Sequence, residues 1–411
     1  MSITYVLLSP TFGMHQYTAD LANRAAQGAG VGPLAGRTVR LVTTTTLPRD
    51  RYSPAVEIRT PITMRGTGFG REGLDVAAYR RTCAMLDERW ATSSIVHFTG
   101  VHLWNVPLIH AMRRREVPVI QTLHDLDPHH GVRFGALIRL WNRLIVGTGC
   151  HILVHARRYR EQLLAAGAPA ERVTCTPLLH GFLSADRGWP PAEAAAVAES
   201  HSRDLGHNLN LGPGLNVLFF GRVEAYKGAD TLLAAWEALH AGAHEDLCGS
   251  WGDAKLVIAG AVAPGVTLGP LPAGVELRDR RILDAEADAL FRSASLLVLP
   301  YRDATQSALI AAAYAYGLPV IVTESGALPE YVVRHCGSLS EPPSSTAASA
   351  VEPTGWVVPP GDPSALAAAL GAALADPSRL ARMGAAGRAW FAARRAEEEA
   401  TLAGLYHRLS C

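Results

Sequence analysis

The sequence predicts an α/β protein of two doubly wound domains, each a parallel sheet covered by helices, and three observations carry that expectation. The chain has 411 residues, more than one hydrophobic core usually organises. Short β-branched or apolar runs alternate with Ala-rich helical stretches through both halves, and strands alternating with helices imply a parallel sheet. The alternation lapses once, between residues 182 and 216, where Gly188-Trp189-Pro190-Pro191 and Gly212-Pro213-Gly214 supply turn and linker chemistry.

Taken in order, the runs at 3–8, 38–43, 95–98 and 118–122 read as strands, and 17–26, 76–90 and 107–113 as helices. The alternation restarts at 216–220 and continues with strands at 255–259, 275–277, 296–300, 320–323 and 356–358. Helical spacing over 389–409, with long charged side chains, suits a final helix that crosses back to the first domain. The expected boundaries are 1–185 with 390–411 for the first domain, 186–214 for a linker and 215–389 for the second domain. The Ser-, Pro- and Ala-rich stretch 340–353 reads as a surface insertion.

Composition narrows the function. No apolar run approaches the roughly 20 residues that cross a bilayer, and the amino terminus reads as a first strand and not as a signal peptide. Cys83, Cys150, Cys175, Cys248, Cys336 and Cys411 are scattered without CxxC spacing, which argues against a zinc ribbon or a disulfide framework and suits a reducing cytoplasm. With 38 basic and 37 acidic side chains, nothing drives the whole chain toward nucleic acid or an anionic membrane. An anionic ligand must be caught locally.

The sharpest local signal is Phe219-Phe220-Gly221-Arg222-Val223-Glu224-Ala225-Tyr226-Lys227-Gly228, where a buried strand ends in glycine and meets a helix. Ligands of open α/β sheets sit at such strand ends. Gly221 lets backbone approach a ligand, Arg222 can fork to phosphate oxygens, and Lys227 adds a point charge beside a helix start. Two cations there suit a diphosphate; the alternative is that both only cap a surface loop.

This Gly-Arg, four-residue, Lys-Gly element is similar to that of retaining glycosyltransferases of family 4. Further stretches agree in order: Thr122-Leu123-His124-Asp125 with Pro128-His129-His130-Gly131, Val154-His155 onward to Pro177, Ala315-Tyr316-Gly317-Leu318-Pro319, Gly326-Ala327-Leu328-Pro329-Glu330, and Gly355-Trp356-Val357-Val358-Pro359-Pro360-Gly361. The resemblance covers most of the chain. It implies two Rossmann-like domains facing across a cleft, the type B glycosyltransferase fold. It further implies a nucleotide-diphosphate-sugar donor, transfer with retention, and no cofactor or metal. In the family the leaving diphosphate helps to deprotonate the acceptor, so Arg222 and Lys227 would stabilise its charge. The implied acceptor is a glycan, a lipid-linked sugar or a small molecule, and the common setting is bacterial polysaccharide or glycolipid assembly in the cytoplasm.

One departure is serious. The family usually places two Glu residues eight positions apart ahead of the Ala-x-Gly block, and here those positions are Ala304 and Ala312. Thr305-Gln306-Ser307 follows instead and resembles a family subset in which Thr, Gln and Ser open the helix, a sound cradle for phosphate. Glu324 is a replacement carboxylate or a plain surface residue. Gly13, after the first strand, lies where the family brings a loop to the reaction centre. His124, at a strand end, is a donor-sugar ligand or takes part in proton handling at the acceptor, set against a purely structural role.

Other readings stay open on the residues alone. Asp125-Leu126-Asp127 with His124, His129 and His130 has the composition of a divalent-metal cluster, although Asp125 also suits orienting His124 or capping a helix. Gly66-Thr67-Gly68-Phe69-Gly70 follows no convincing strand and reads as a mobile acceptor loop or as linker. The stretch 132–146, apolar with Arg133, Arg139 and Arg143, is a buried core helix or a peripheral membrane contact. With both Glu positions lost, a degenerate subunit that binds a nucleotide or partners another glycosyltransferase is the non-catalytic alternative, and a sugar-nucleotide epimerase or a phosphorylase is the enzymatic rival.

Overall fold

Two parallel sheets organise the computed structural model, which describes residues 2–9, 11–28, 36, 38–63, 66–90, 93–127, 135–181, 214–241, 253–334 and 352–410. The chain divides into one unit of Met1–Trp189 with Ala393–Cys411 and a second of Pro190–Ala392. The expected linker lies outside the described residues except for Gly214, and the expected insertion except for Glu352 and Pro353.

The first unit runs β1 (Ser2–Leu7), α1 (Phe12–Ala26), β2 (Thr38–Thr44), β3 (Glu57–Ile62), α2 (Val76–Trp90), β4 (Ser93–Phe98), α3 (Asn105–Arg113), β5 (Val119–Thr122), α4 (Gly135–Gly147), β6 (His151–Val154), α5 (Arg157–Ala165) and β7 (Val173–Cys175). Its strands lie in the order β3-β2-β1-β4-β5-β6-β7, paired in parallel throughout. All six residues of β1 are buried, as expected of a central strand covered on both faces. The sequence pattern passes over β3 because it is an edge strand carrying Pro61 and half-exposed charges, and proline is tolerated only at such edges. Gly66 to Gly70 therefore does follow a strand. Its backbone is packed: a Cβ on Gly68 would stand 2.6 Å from His102 Nε2, and the Thr67 carbonyl accepts from Leu103 N.

The second unit runs β8 (Asn216–Phe220), α6 (Ala229–Ala241), β9 (Lys255–Ala259), β10 (Val275–Arg278), α7 (Asp284–Ser293), β11 (Leu296–Leu299), α8 (Leu309–Tyr316), β12 (Val320–Thr323), β13 (Gly355–Val358), α9 (Pro363–Leu374) and the start of α10 (Pro377–Ser410). The order is β10-β9-β8-β11-β12-β13, again parallel. Phe219, Trp236, Ile258, Val298, Ile321, Trp356 and Leu370 fill its core. Local signals agree with the elements: Asp362 accepts from Ala365 N at 3.0 Å with Pro363 opening α9, an N-cap with proline in the first turn, and α8 stops at Gly317 with φ of 75°.

The end of α10 belongs to the first unit and is tied there by a buried charge cluster. Asp20 Oδ2 meets Arg24 at 2.9 Å and Arg395 at 3.0 Å, while Glu398 Oε2 meets the same two guanidinium groups at 3.1 and 2.9 Å. Arg24 Nη1 also reaches the half-exposed Glu399 at 3.4 Å, so both buried guanidinium groups are paired in a place where an unpaired charge would be costly. Arg395 also donates to the Leu179 carbonyl, and Tyr406 hydrogen-bonds His97 Nδ1 at 3.2 Å.

Candidate functional site

In the second sheet, strand order reverses between β8 and β11, and ligands of doubly wound sheets bind outside the carboxyl ends of the strands at that reversal. The loops leaving these two strands are laced together. Gly228 has φ of 68°, and a Cβ on it would stand 2.1 Å from the Pro300 carbonyl oxygen, so only glycine permits the approach. Arg302 N donates to the Tyr226 carbonyl at 2.7 Å, and its guanidinium reaches Asp230 Oδ2 at 2.5 Å.

Within this frame Gly221, at φ of 103°, donates its N–H to the Ala259 carbonyl. Lys227 Nζ lies 5.9 Å from the ring centre of Tyr226 and 5.8 Å from that of Tyr301. Desolvation lowers the Lys227 pKa from its ordinary value; Glu224 opposes the shift and Arg222 reinforces it. Arg222 is exposed, with one ion pair of 3.4 Å to Glu224. Thr305 and Ser307 are buried. Gln306 is half-buried between them. Ala304 and Ala312 are both buried, the latter in α8. Glu324, after β12, is largely exposed and paired with Arg334 at 3.1 Å.

In the first unit His124 follows β5 and is buried. Its Nε2–H donates to the Thr99 carbonyl at 2.9 Å, which leaves Nδ1 as the acceptor nitrogen. Tyr17 stands edge-on to it at 4.7 Å, and His155 and His180 flank the same tyrosine at 5.1 and 6.0 Å. Burial pulls the His124 pKa to about 4, with His180 adding to the shift and the Thr99 carbonyl opposing it. At neutral pH the ring is an uncharged hydrogen-bonding group and not an imidazolium. Asn142 of α4 donates to the carbonyls of Asp125 and Leu126 at 2.9 and 3.1 Å, fixing the loop that follows. Gly13 lies in the exposed first turn of α1, where a Cβ would meet nothing within 4 Å. His129 and His130 lie outside the described residues, and among those described no three His, Cys, Asp or Glu side chains gather as metal ligands.

Residues 12–178 match the family described as glycosyl transferase 4-like domain, and residues 214–376 match glycosyl transferases group 1. The two matches meet the two sheets. The chain is a glycosyltransferase. It is 25% identical to the D-inositol 3-phosphate glycosyltransferase of Xylanimonas cellulosilytica, over 92% of this chain and 87% of that one. It is 26% identical to the protein of the same name from Streptomyces scabiei, over 91% and 81%. In fold it resembles HepE of Anabaena in complex with UDP and glucose, at a TM-score of 0.67 and 14% identity over 98% and 99% of the two chains.

Several features of this glycosyltransferase escape sequence reading. Tyr301 looks like an ordinary core aromatic beside Pro300, and His180 follows β7 without any motif. One overlooked signal is compositional: of the 38 Lys and Arg residues, only Lys227 and Lys255 are lysine. A chain that uses arginine almost everywhere keeps lysine at the strand-end loop. A second is Gly326, with φ of 51° and a Cβ position 1.7 Å from the Ala304 carbonyl oxygen, which holds the segment after β12 against Ala304 and Thr305. Gly326→Ala is expected to lower the stability of the second unit by about 1–3 kcal/mol through backbone strain. Thermal unfolding measures it, and an unchanged Tm would show that the Thr305 segment does not depend on this contact.

Proposed function

We propose that the enzyme transfers a sugar from a nucleotide-diphosphate donor to an acceptor hydroxyl, with retention of configuration and without a metal, in glycoconjugate assembly. The observation that carries the reading is the Gly221 to Gly228 loop at the strand-order reversal, which presents Arg222 and Lys227 beside Thr305, Gln306 and Ser307. Cations and hydroxyls at one strand-end locus suit the charge that develops on a leaving diphosphate. Gly13 leaves room for close approach in the first unit. His124, neutral, is suited to hydrogen-bond a sugar or acceptor hydroxyl and not to act as a cation. Glu324, exposed and paired with Arg334, we assign to donor recognition in place of the carboxylates missing at Ala304 and Ala312.

Calorimetry against UDP, GDP, ADP, TDP and CDP tests the reading, followed by transfer from the matching sugar donors with D-inositol 3-phosphate among the acceptors. One nucleotide binding in the micromolar range, lost in Lys227→Ala and weakened about tenfold or less in Arg222→Ala, is the expected result. A folded protein that binds none of the five, or binds one without hydrolysing or transferring from its sugar donor, would favour the non-catalytic partner subunit.

A peripheral membrane contact is part of the proposal. Sequence reading weighs α4 as a buried core helix, yet only Trp141, Asn142 and Ile145 are buried, while Leu137, Leu140 and Leu144 form an exposed stripe beside exposed Arg139 and Arg143. Such a helix face suits an anionic lipid surface. Co-sedimentation with phosphatidylglycerol vesicles, absent with phosphatidylcholine, is expected to drop about tenfold in the Leu140→Glu, Leu144→Glu double variant; equal binding by the variant would remove this contact from the proposal. No helix among the described residues is long and apolar enough to cross a membrane.

A further inference from the structure

Lys227 has an unusual seat. Its ammonium faces the rings of Tyr226 and Tyr301 at 5.9 and 5.8 Å, and those two rings stand edge to face with centres 6.0 Å apart and planes at 74°. A cation over an aromatic face is attracted by the ring quadrupole, and the attraction grows as water is removed. Tyr301 is 3% exposed, so its ring is a fixed wall. Beyond it, Ser307 Oγ accepts from Leu309 N at 3.4 Å at the start of α8.

Tyr301 is itself held from two sides. Its carbonyl accepts a short hydrogen bond from Thr323 Oγ1 of β12, and the next residue, Arg302, ties the loop to Tyr226 and Asp230. The space around the ammonium is also set: a Cβ on Gly221 would stand 3.5 Å from Lys227 Nζ. That room suits a compact ammonium better than the broader planar guanidinium. In a chain with 36 arginines and two lysines, the choice of lysine at 227 then has a physical reason.

We propose that Tyr301 is a positioning residue for the donor diphosphate, its ring seating the Lys227 ammonium at the strand-order reversal. This rests on the donor-diphosphate reading of the site. It assigns to the loop after β11 a function that none of its charged residues carries. Loss of the ring frees the lysine, whereas loss of the hydroxyl alone leaves it seated.

The scarcity of lysine makes a direct test available. Reductive ¹³C-methylation labels only Lys227, Lys255 and the amino terminus, so NMR follows the titration of Lys227 in the intact protein with Lys255 as an internal standard. In wild type the Lys227 signal is expected to titrate below the ordinary lysine range, in Tyr301→Phe to stay there, and in Tyr301→Leu, where no ring quadrupole favours the ammonium, to titrate lower still. Affinity for the nucleoside diphosphate that wild type binds is expected to stay near wild type in Tyr301→Phe, which keeps the ring, and to fall about 30-fold in Tyr301→Leu, at unchanged Tm for the phenylalanine variant. An unchanged lysine titration and an unchanged affinity in Tyr301→Leu, beside loss of binding in Lys227→Ala, would overturn the positioning role while leaving the donor site intact. A wild type that binds no nucleoside diphosphate overturns the underlying reading, and this proposal falls with it. Should Tyr301→Leu fail to fold, Tyr301→Met carries the same test: an unchanged lysine titration and an unchanged affinity there overturn the positioning role.

Discussion

Lys227→Ala is expected to lower kcat/KM for sugar transfer about 100- to 1,000-fold, the loss typical of removing one preorganised group that stabilises charge in a transition state. Lys227→Arg is expected to recover little of it. Charge alone is not what the position supplies: the ammonium is half-buried between two tyrosine rings and close to Gly221, so a guanidinium must leave that seat and place its charge elsewhere. Arg222 offers a contrast at the same loop. It is 59% exposed and screened by water and Glu224, so Arg222→Ala is expected to cost about tenfold or less. Initial rates with saturating acceptor, run beside thermal unfolding, separate these cases. Near-wild-type turnover in Lys227→Ala would take the lysine out of the reaction altogether.

The contrast between the two cations also marks how far sequence can be read. The Gly221 to Gly228 element was legible because strand, glycine and cations are contiguous, and contiguity is what a pattern detects. β3 was not, since Pro61 and the alternating charges of an edge strand imitate a loop. The partners that give Lys227 its environment come from a loop some seventy residues on, and no local spacing announces that Tyr301 will turn its ring to the lysine. The same holds in the first unit, where His124, His155 and His180 leave three successive strands and meet around Tyr17 only after the sheet has formed. The α4 stripe was misjudged for a different reason: apolar content predicts burial on average, but which side of a helix faces the sheet is decided by packing of Trp141 and Ile145.

Those histidines give the second large effect, which is expected in stability. Burial holds His97 near a pKa of about 3 and His15, His124 and His151 near about 4, each below the ordinary 6.5. A group whose folded pKa is depressed binds fewer protons in the folded state, so its stabilising contribution is complete above pH 6.5 and is lost as pH falls through the window toward 4. At pH 5 each such histidine costs about 2 kcal/mol, and several together match the roughly 5–15 kcal/mol that hold a typical domain folded. Among the described residues these buried rings all belong to the first unit, while the second has only half-exposed His240. The first unit is therefore expected to open between pH 6 and 4.5 while the second still protects its amides, as hydrogen exchange followed by mass spectrometry at stepped pH will show. Replacing His97, which bridges Thr122 and Tyr406, with glutamine removes one titrating ring and is expected to shift the opening to lower pH, even if the variant is less stable at pH 7.5. Simultaneous loss of protection in both units, or a midpoint that His97→Gln leaves in place, would mean that carboxylates whose folded pKa is depressed, such as Asp20, and not the histidines, set the acid limit of the fold.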